Sequence, residues 1–384
     1  MTTVLLTLGR LPKALDLARG FAKAGCRVLV AEPYGWTLAG ASRHIAREFR
    51  VPPPVKGKAA YLAALAEIVR REGVDLVVPV SEETMHVAHL AGMLPEGARL
   101  FTMPPEQVLA LHDKARFVDT AAAMGLAVPV SAPLGSAEAE ALAQSGPVVV
   151  KPVFSCSGNG LSILRGGEPL PPADPAAPAV VQRFVEGREH STCTIAQGGR
   201  VVATMVYRGA VMSGSVAVAF ERVDVPAINA WVERFVVETG WNGFISFDFI
   251  IDAGGVPHAI ECNPRATSGV HFWEAEDIAR AVLEPGWQGP VRVRRHRTLQ
   301  QFYACLTETQ GAMLRGKGFW RSLKSLATTR DVSWDWRDPW PFLSMIGTSW
   351  PIIWQSITKG ARFGEVATQD VGWYEGEYGG QSRG

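Results

Sequence analysis

The chain has 384 residues, of which 47% are hydrophobic and 20% are charged. This composition is typical of a soluble globular protein with two or three packed domains, and it excludes a largely disordered chain. The 38 Lys and Arg residues nearly balance the 37 Asp and Glu residues, which argues against an overall field that would hold the chain on nucleic acid or an anionic membrane.

The first 105 residues follow an α/β pattern. Residues 4–8 are an apolar strand, residues 12–24 repeat apolar positions at helical spacing, and CRVLVAEP supplies a second strand. Another helix is predicted over residues 61–71, followed by the strand VDLVVPVSEE with its polar end. The pattern predicts a doubly wound domain with a parallel sheet. The motif GxGxxG does not follow the first strand, which argues against a dinucleotide site there.

The middle of the chain changes from helical to β-rich. Pro104 and Pro105 open a helical stretch, and HDKARFVDTAAAMGLAVP predicts a second helix that stops at a glycine. From residue 147 onward, short apolar strands alternate with Gly-rich turns, with one helix at 227–239. We expect an α+β unit built around antiparallel sheets.

The five cysteines are widely spaced and include no CxxC pair. This spacing is typical of reduced thiols and not of a zinc site or a redox dithiol. The N-terminal segment carries no basic leader with a long apolar core, so we expect a cytoplasmic protein. Cys156 and Cys262 are interpreted as space-filling side chains in preference to nucleophiles.

Two lysines and a small-residue loop suit a phosphate ligand. Lys114 lies in HDKARF, and Lys151 ends the apolar strand VVVKP, where the sheet would hold its ammonium group at a pocket rim. The loop FSCSGNG follows Lys151 directly, and its backbone N–H groups could cover phosphate oxygens. Each feature alone is more often a solvated lysine or a simple hairpin turn.

The segment VVQRFVEGREH combines an apolar strand with two acids. Extended backbone at residues 182–185 could pair with an adenine, and the carboxylate of Glu189, two residues beyond Gly187, could bind ribose hydroxyls. An exposed hairpin with two acids, Glu186 and Glu189, is the alternative.

The segment FDFIIDAGGVPHAIECNPR carries the strongest signal. Asp248 and Glu261 fall on neighbouring strands of a hairpin, and Asn263 lies on the same face of its strand as Glu261. Oxygen ligands on apolar strands are costly to bury unless a cation or a donor meets them, and Mg²⁺ prefers such ligands. Arg265 follows at strand spacing, where it could face a carboxylate or a phosphoryl group. A purely structural network is the alternative.

Together, these motifs resemble the ATP-grasp superfamily in order and spacing over residues 1–280. The resemblance implies a Rossmann-like (pre-ATP-grasp) domain over 1–105 and an α+β ATP-grasp core over 106–290. The core would consist of a lysine-bearing subdomain over 106–180 and a metal-binding part over 181–290. An aromatic-rich C-terminal region over 291–384 would follow as a cap or substrate-specific part.

The resemblance also implies roles for the motif residues. Lys114 and Lys151 match the two nucleotide-binding lysines, and Lys151 and Arg265 are the expected catalytic residues. Asp248, Glu261 and Asn263 match the ligands of Mg²⁺ or Mn²⁺. The remaining positions implied for ATP binding, in the phosphate loop, the adenine strand and the ribose acid, are Ser155, Ser157, Gly158, Gly160, Gln182, Arg183, Phe184, Val185 and Glu189.

Two positions depart from the family pattern. Gln182 and Arg183 stand where the family often has Glu and Lys, which leaves the ATP assignment standing because adenine contacts there are partly made by the backbone. Ser246 stands where dipeptide ligases have an arginine, so the closest resemblance is to the branch of the carbamoyl-phosphate synthetase large chain and biotin carboxylase.

The implied activity is a carboxylate–amine ligase that forms an amide or peptide-like bond through an acyl phosphate and releases ADP and phosphate. Its substrates would be a small carboxylate and an amine, a homodimer would be unsurprising, and nucleic acid is not an expected partner. One alternative is a carboxyphosphate-forming enzyme related to carboxylases and carbamoyl-phosphate synthetase. Another is a non-catalytic nucleotide-binding protein associated with a membrane.

The C-terminal region leaves alternatives open. Residues 339–358 carry no charge, but their three prolines argue against a membrane-spanning helix. A hydrophobic cap on the core is the main expectation, with contact to a membrane interface as the alternative. RVRRHR is expected to be a solvated strand face or an anion-binding run. His271 is expected either to contact the second substrate or to be structural.

Overall fold

The structure is a computed structural model that describes residues 1–155, 160–213, 216–314, 319–360 and 363–374. In these ranges the strands form three sheets, with helices packed on their faces. The helices are α1 Pro12–Lys23, α2 Lys58–Glu72, α3 Thr84–Val87, α4 Pro105–His112, α5 Lys114–Ala123, α6 Ala137–Ser145, α7 Pro226–Thr239, α8 Ala275–Leu283, α9 Phe302–Leu314, α10 Phe319–Thr328, α11 Trp340–Leu343, α12 Met345–Thr348, α13 Trp350–Lys359 and α14 Phe363–Gln369.

The first sheet has five parallel strands in the order β3-β2-β1-β4-β5. The strands are β1 Thr3–Leu6, β2 Arg27–Glu32, β3 Arg47–Arg50, β4 Leu76–Val78 and β5 Arg99–Leu100. The strand predicted in VDLVVPVSEE is only three residues long, because Pro79 has no N–H to continue the ladder. The polar residues that follow it therefore lie beyond the carboxyl end of the strand.

The second sheet has four antiparallel strands in the order β6-β9-β7-β8. The strands are β6 Ser131–Pro133, β7 Val148–Pro152, β8 Ser162–Leu164 and β9 Ala179–Arg183. Helix α6 covers one face, where Ala139 and Ala143 pack against Val148 and Val181. This packing fixes β7, the strand that carries Lys151.

The third sheet has seven strands in the order β14-β13-β10-β11-β12-β15-β16, antiparallel except for the last pair. The strands are β10 Arg188–Gln197, β11 Arg200–Ser213, β12 Val216–Val223, β13 Gly243–Ile251, β14 Pro257–Asn263, β15 Thr298–Gln300 and β16 Arg330–Asp331. The expectation of antiparallel sheets in this part of the chain is confirmed. An aromatic cluster of Phe117, Trp231, Phe235 and Phe247 fastens α5 and α7 to one face.

The first and third sheets share one hydrophobic core, through α1 and α8. Phe21 of α1, Ile195 of β10 and Ile278 of α8 are all fully buried in it. The domain boundaries predicted at residues 105, 180 and 290 stay predictions. The shared core contains residues from both sides of the boundary at residue 105.

The run RVRRHR is not a strand, so that part of the expectation is wrong, whereas five of its six residues are exposed, as expected of a solvated run. Three of its arginines are held separately by carboxylates of three other elements: Arg292 by Asp277, Arg294 by Asp16 and Arg297 by Glu221. These pairings tie the run to α8, α1 and β12, and its backbone forms an isolated bridge between Val293 and Trp273.

The C-terminal region is helical, and much of its apolar surface is exposed. Trp336 is 80% exposed and Trp340 is 66% exposed, whereas Trp373 is only 7% exposed, so the region buries only some of its tryptophans and is not the hydrophobic cap that was expected. Among the described helices, none combines the length and the apolar character needed to cross a bilayer.

Candidate functional site: acids and lysines between two antiparallel sheets

The hairpin of β13 and β14 brings three oxygen-bearing side chains together. Asp248 pairs with Glu261 and Ser246 pairs with Asn263 in its register. The amide Nδ2 of Asn263 donates to Oδ2 of Asp248 at 2.9 Å. The expected convergence of these three residues is therefore present at the edge of the seven-stranded sheet.

Both predicted lysines contact strand β14 of this hairpin. They lie at the space between the four-stranded and the seven-stranded sheets, which we call the cleft. Lys114 is the first residue of α5, whose N-terminus is capped by Asp113, and its Nζ lies 3.4 Å from Oε1 of Glu261. Lys151 of β7 donates to the carbonyl of Ile260 at 2.6 Å and to Oε1 of Gln182 at 3.0 Å. Both ammonium groups are buried, and they face the strand that carries Glu261.

The charges in this cleft perturb one another. Burial and the neighbouring Glu261 carboxylate raise the pKa of Asp248 to about 7. Burial lowers the pKa of Lys151 to about 8, against the attraction of Glu261. A carboxylate whose proton affinity is raised by a neighbouring carboxylate suits a cation placed between the two.

The donor set of the cleft is two carboxylates and one amide. Within the part of the chain that the structure describes, groups of three or more His, Cys, Asp or Glu side chains arranged for a metal are absent. A protein site for Mg²⁺ usually supplies only one or two carboxylates and leaves the other positions to water and phosphate oxygens. Asp248, Glu261 and Asn263 fit that pattern.

Glu189 lies on the strand next to the hairpin. Its neighbour two residues on, Ser191, shares its face of β10 and donates from Oγ to Oδ1 of Asp248 at 2.6 Å. Desolvation and the charge of Glu261 raise the pKa of Glu189. The predicted ribose acid therefore faces the same cleft, whereas sequence reasoning missed Ser191.

The predicted adenine strand has two different faces. Gln182 is buried and contacts Lys151, whereas Nη2 of Arg183 donates to Oγ of Ser145 on α6 at 2.5 Å. The side chain of Arg183 thus points away from Lys151, and side-chain contact with a base is not supported. Adenine contact by Phe184, which is 37% exposed, and by Val185 stays a prediction.

The phosphate loop is described only at its ends. The carbonyl of Ser155 accepts a hydrogen bond from Lys114 Nζ at 2.9 Å, so the predicted loop starts beside Lys114. Gly160 has φ +75°, in the left-handed region that glycine adopts readily. Cys156, Ser157 and Gly158 lie outside the described residues.

Arg265 joins the hairpin to the first sheet. Its Nη2 lies 2.8 Å from Oδ1 of Asn263 and 2.5 Å from Oε1 of the buried Glu82. Burial alone would raise the pKa of Glu82, but Arg265 and His112 lower it below the ordinary value. A second buried cation, Lys13, donates to the carbonyl of Ala266 at 2.8 Å.

Sequence reasoning missed Glu82 and Lys13. The available signal for Glu82 was the SEE segment at the carboxyl end of β4, because ligand sites of parallel sheets lie at that edge. No comparable signal marks Lys13, which lies within the amphipathic helix α1.

Three smaller features have structural roles. Cys262 is buried between the sheets, and burial raises the pKa of its thiol, which favours the space-filling interpretation. His271 is buried and its Nδ1 lies 2.6 Å from Oδ2 of Asp16. Ser246, which stands where dipeptide ligases have an arginine, donates to the carbonyl of Arg265 at 2.9 Å. Its side chain therefore holds the backbone that follows β14.

The chain is similar to several known proteins. Residues 111–269 match the family model of the ATP-grasp domain. A formate-dependent phosphoribosylglycinamide formyltransferase of Synechococcus sp. (strain CC9902) is 32% identical over 209 residues, or 48% of this chain and 47% of that protein. The carbamoyl phosphate synthase large chain of Streptomyces avermitilis is 26% identical over 228 residues, or 54% of this chain and 20% of that protein.

Solved structures share the fold. The biotin carboxylase domain of the 2-oxoglutarate carboxylase from Hydrogenobacter thermophilus, a dimer in complex with MgADP, ADP and bicarbonate, aligns with a TM-score of 0.60 at 15% identity. The alignment covers 76% of this chain and 72% of that chain. The present chain spans less than half of the length of the two relatives named above. The resemblance inferred from the motifs is confirmed: the chain contains an ATP-grasp domain, which spans residues 111–269.

Proposed function

We propose that this protein is an ATP-dependent carboxylate–amine ligase that activates a carboxylate as an acyl phosphate. The observation that carries the proposal is the convergence of Asp248, Glu261 and Asn263 with the two buried lysines Lys114 and Lys151. The similarity to a formate-dependent formyltransferase supports a small carboxylate as one substrate.

ATP and a divalent cation fit the side chains that line the cleft. Asp248, Glu261 and Asn263 would hold Mg²⁺ or Mn²⁺, which would neutralise phosphate charge and draw the γ-phosphoryl group toward reaction. The lysines would hold phosphate oxygens as compact point charges. Glu189 would bind the ribose hydroxyls, and Val185 would contact the base through its backbone.

The proposed reaction has two steps, and one residue of the chain stabilises charge in each. A carboxylate oxygen of the substrate attacks the γ-phosphorus of ATP, the bond to the β-phosphate oxygen breaks, and ADP leaves. The amine nitrogen then attacks the acyl carbon, loses a proton, and expels phosphate. Lys151 stabilises charge on the phosphates in the first step, and Arg265 stabilises the oxyanion in the second.

A carboxyphosphate-forming reaction is the second candidate. The related fold named above was solved with bicarbonate, and a relative is a carbamoyl phosphate synthase chain. Bicarbonate would take the place of the carboxylate at the same γ-phosphoryl group. Bicarbonate-dependent ADP release without another acid would favour this reaction.

ADP release tests the proposal across a matrix of carboxylates and amines, with bicarbonate as one acid and hydroxylamine to trap an activated acid as its hydroxamate. We expect one acid to give both ADP and hydroxamate. Glu261→Ala should reduce ADP release at least about a thousandfold, because it removes a carboxylate that would bind the metal at the reacting phosphate.

Glu276→Ala is the matched control. Glu276 lies on α8, is partly exposed and pairs with Arg280, so its loss should leave ADP release unchanged. Wild-type ADP release by Glu261→Ala would remove this cleft from consideration as the active site.

The setting of the enzyme is also part of the proposal. We propose a cytoplasmic enzyme that acts on small molecules and has no nucleic-acid partner. The homodimer suggested by the family resemblance is supported by the dimeric state of the related carboxylase domain.

A further inference from the structure

Helices α11, α12 and α13 present a continuous row of exposed apolar side chains. Six of them are between 52% and 68% exposed: Trp340, Leu343, Ile346, Trp350, Trp354 and Ile357. They recur every three or four residues, which places them on one side of the helical run. We call this row the aromatic face.

The opposite side of the same helices is anchored to the protein. Ile352 is only 2% exposed and packs with Val366 and Ala367 of α14 and with Leu11 and Tyr34. Nε2 of Gln355 donates to the hydroxyl of Tyr34 at 3.0 Å. Because the opposite side of the helices is packed against the protein, the helices cannot rotate to bury the aromatic face, and it stays exposed to solvent.

The exposed charge in the segment that carries the aromatic face is mainly positive. In the described part of residues 319–360, the exposed charged side chains are all cations: Lys324, Arg330, Arg337 and Lys359. Of the three acids in that part, Asp331 and Asp338 are buried, Asp338 is bound by Arg19 at 2.9 Å, and Asp335 is half-buried. The surface around the tryptophans is thus positive even though the whole chain is nearly neutral.

We propose that the aromatic face docks on the surface of a membrane that contains anionic lipid. Tryptophan rings are favoured at the boundary of headgroups and acyl chains, and nearby Lys and Arg are attracted by anionic headgroups. The run is too short and too interrupted by turns to span a bilayer, so it would lie in the interface plane.

A second copy of the chain fits this face less well. In a two-fold dimer the same patch meets itself, which would bring the exposed cations Lys359 and Arg337 of both copies toward one apolar contact. Like charges withdrawn from water oppose such an interface. Lipid headgroups carry the charge that complements these cations.

Vesicle co-sedimentation of the full chain tests the proposal, with phosphatidylcholine vesicles compared with vesicles that also contain phosphatidylglycerol. We expect binding to the mixed vesicles, weakened by salt. Replacing three residues of the aromatic face (Trp350→Ser, Trp354→Ser, Ile357→Ser) should lower the partition coefficient at least about tenfold. Lys324→Gln, Arg337→Gln and Lys359→Gln together should lower it by about tenfold on mixed vesicles only.

The control replaces three exposed valines on other surfaces, Val130→Ser, Val237→Ser and Val256→Ser, which are 65%, 59% and 43% exposed. It should bind vesicles as the wild type does. A midpoint of thermal unfolding equal to that of the wild type would establish that each variant is folded.

Three outcomes would overturn the proposal. They are absence of wild-type binding to mixed vesicles, equal binding by the folded aromatic-face variant, and a wild-type dimer in solution that this variant converts to a monomer. The last would assign the face to a second copy. The inference does not rest on the proposed ligase activity, so a vesicle result leaves the ADP-release test untouched.

Discussion

Lys151 carries a charge in a place where charge is costly. The residue is only 5% exposed, and among the described residues its ammonium group donates to a backbone carbonyl and to a side-chain amide oxygen. Burying an ammonium group costs free energy that neutral hydrogen-bond partners offset only in part. An anionic ligand in the cleft would offset the remainder, which is why we assign Lys151 to phosphate binding.

Replacing Lys151 with methionine should therefore weaken ATP binding at least about tenfold, because the charge is lost while the apolar stem is kept. Isothermal titration in the presence of Mg²⁺ measures the change. Lys56→Met, at an exposed lysine, should leave the affinity as it is. Equal affinities for the two variants would exclude Lys151 from the phosphate site.

At the residue scale, the sequence predicted contacts between side chains of one hairpin, and it identified candidate site residues that belong to a known series of motifs. Asp248 and Asn263 belong to one hairpin, so their contact follows from strand pairing alone. Glu82 and Arg265 lie 183 positions apart in the sequence, and their contact depends on how the sheets pack. Arg183 was assigned to the adenine strand, but strand alternation turns its side chain toward α6.

At the scale of elements, helices α1 and α8 are in close backbone contact at Gly20. A Cβ built on Gly20 would lie 2.1 Å from the carbonyl oxygen of Ala275, and this oxygen is backbone that cannot rotate away. The absence of a side chain therefore lets α1 reach α8 and complete the core shared by the first and third sheets.

Gly20→Ala should lower the free energy of unfolding by about 1–3 kcal/mol, because the helices must separate to admit the methyl group. Urea unfolding followed by circular dichroism measures it. Gly92→Ala is the matched control, since its Cβ would meet nothing within 4 Å, and it should shift stability by less than about 0.5 kcal/mol. Equal shifts for both variants would refute a close contact at Gly20.

Element types followed largely from local patterns. Pro105 at the start of α4 and Gly125 after α5 mark helix limits by their own backbone preferences. RVRRHR was misassigned to a strand because its local pattern does not show its contacts with distant elements, among them the ion pairs with Asp16, Asp277 and Glu221. Pairings with distant elements leave no local signature in the sequence.

On the scale of the whole molecule, the end of the described chain returns to the first sheet. Asp370 binds Arg10, with Nη1 to Oδ1 at 2.6 Å, and the Gly372 carbonyl lies 3.1 Å from Nε2 of His86. Trp373 packs against the ring of His86 with centroids 4.8 Å apart. The aromatic-rich C-terminal region is thereby fastened to the opposite end of the sequence.

This arrangement makes the fold sensitive to acid. Burial lowers the pKa of His86 to about 4, whereas an unfolded histidine titrates near 6.5. Between about pH 6.5 and 4 the unfolded chain binds a proton that the folded chain does not, so stability falls as pH falls. Wild type should lose up to about 3 kcal/mol more than His86→Gln between pH 7 and 4.

Urea unfolding of both proteins at several pH values measures that difference. Because His112 and the carboxylates titrate in both proteins, the comparison isolates the contribution of His86. Parallel stability curves for the two proteins would contradict the buried, neutral state of this ring.

The account as a whole depends on one nucleotide site between the four-stranded and seven-stranded sheets. Isothermal titration of the wild-type chain with ATP, with and without Mg²⁺, tests it most directly. We predict one ATP per chain, bound more tightly when Mg²⁺ is present, with the Mg²⁺ effect lost in Glu261→Ala. ATP binding that neither Mg²⁺ nor Glu261→Ala alters, or no ATP binding at all, would contradict it.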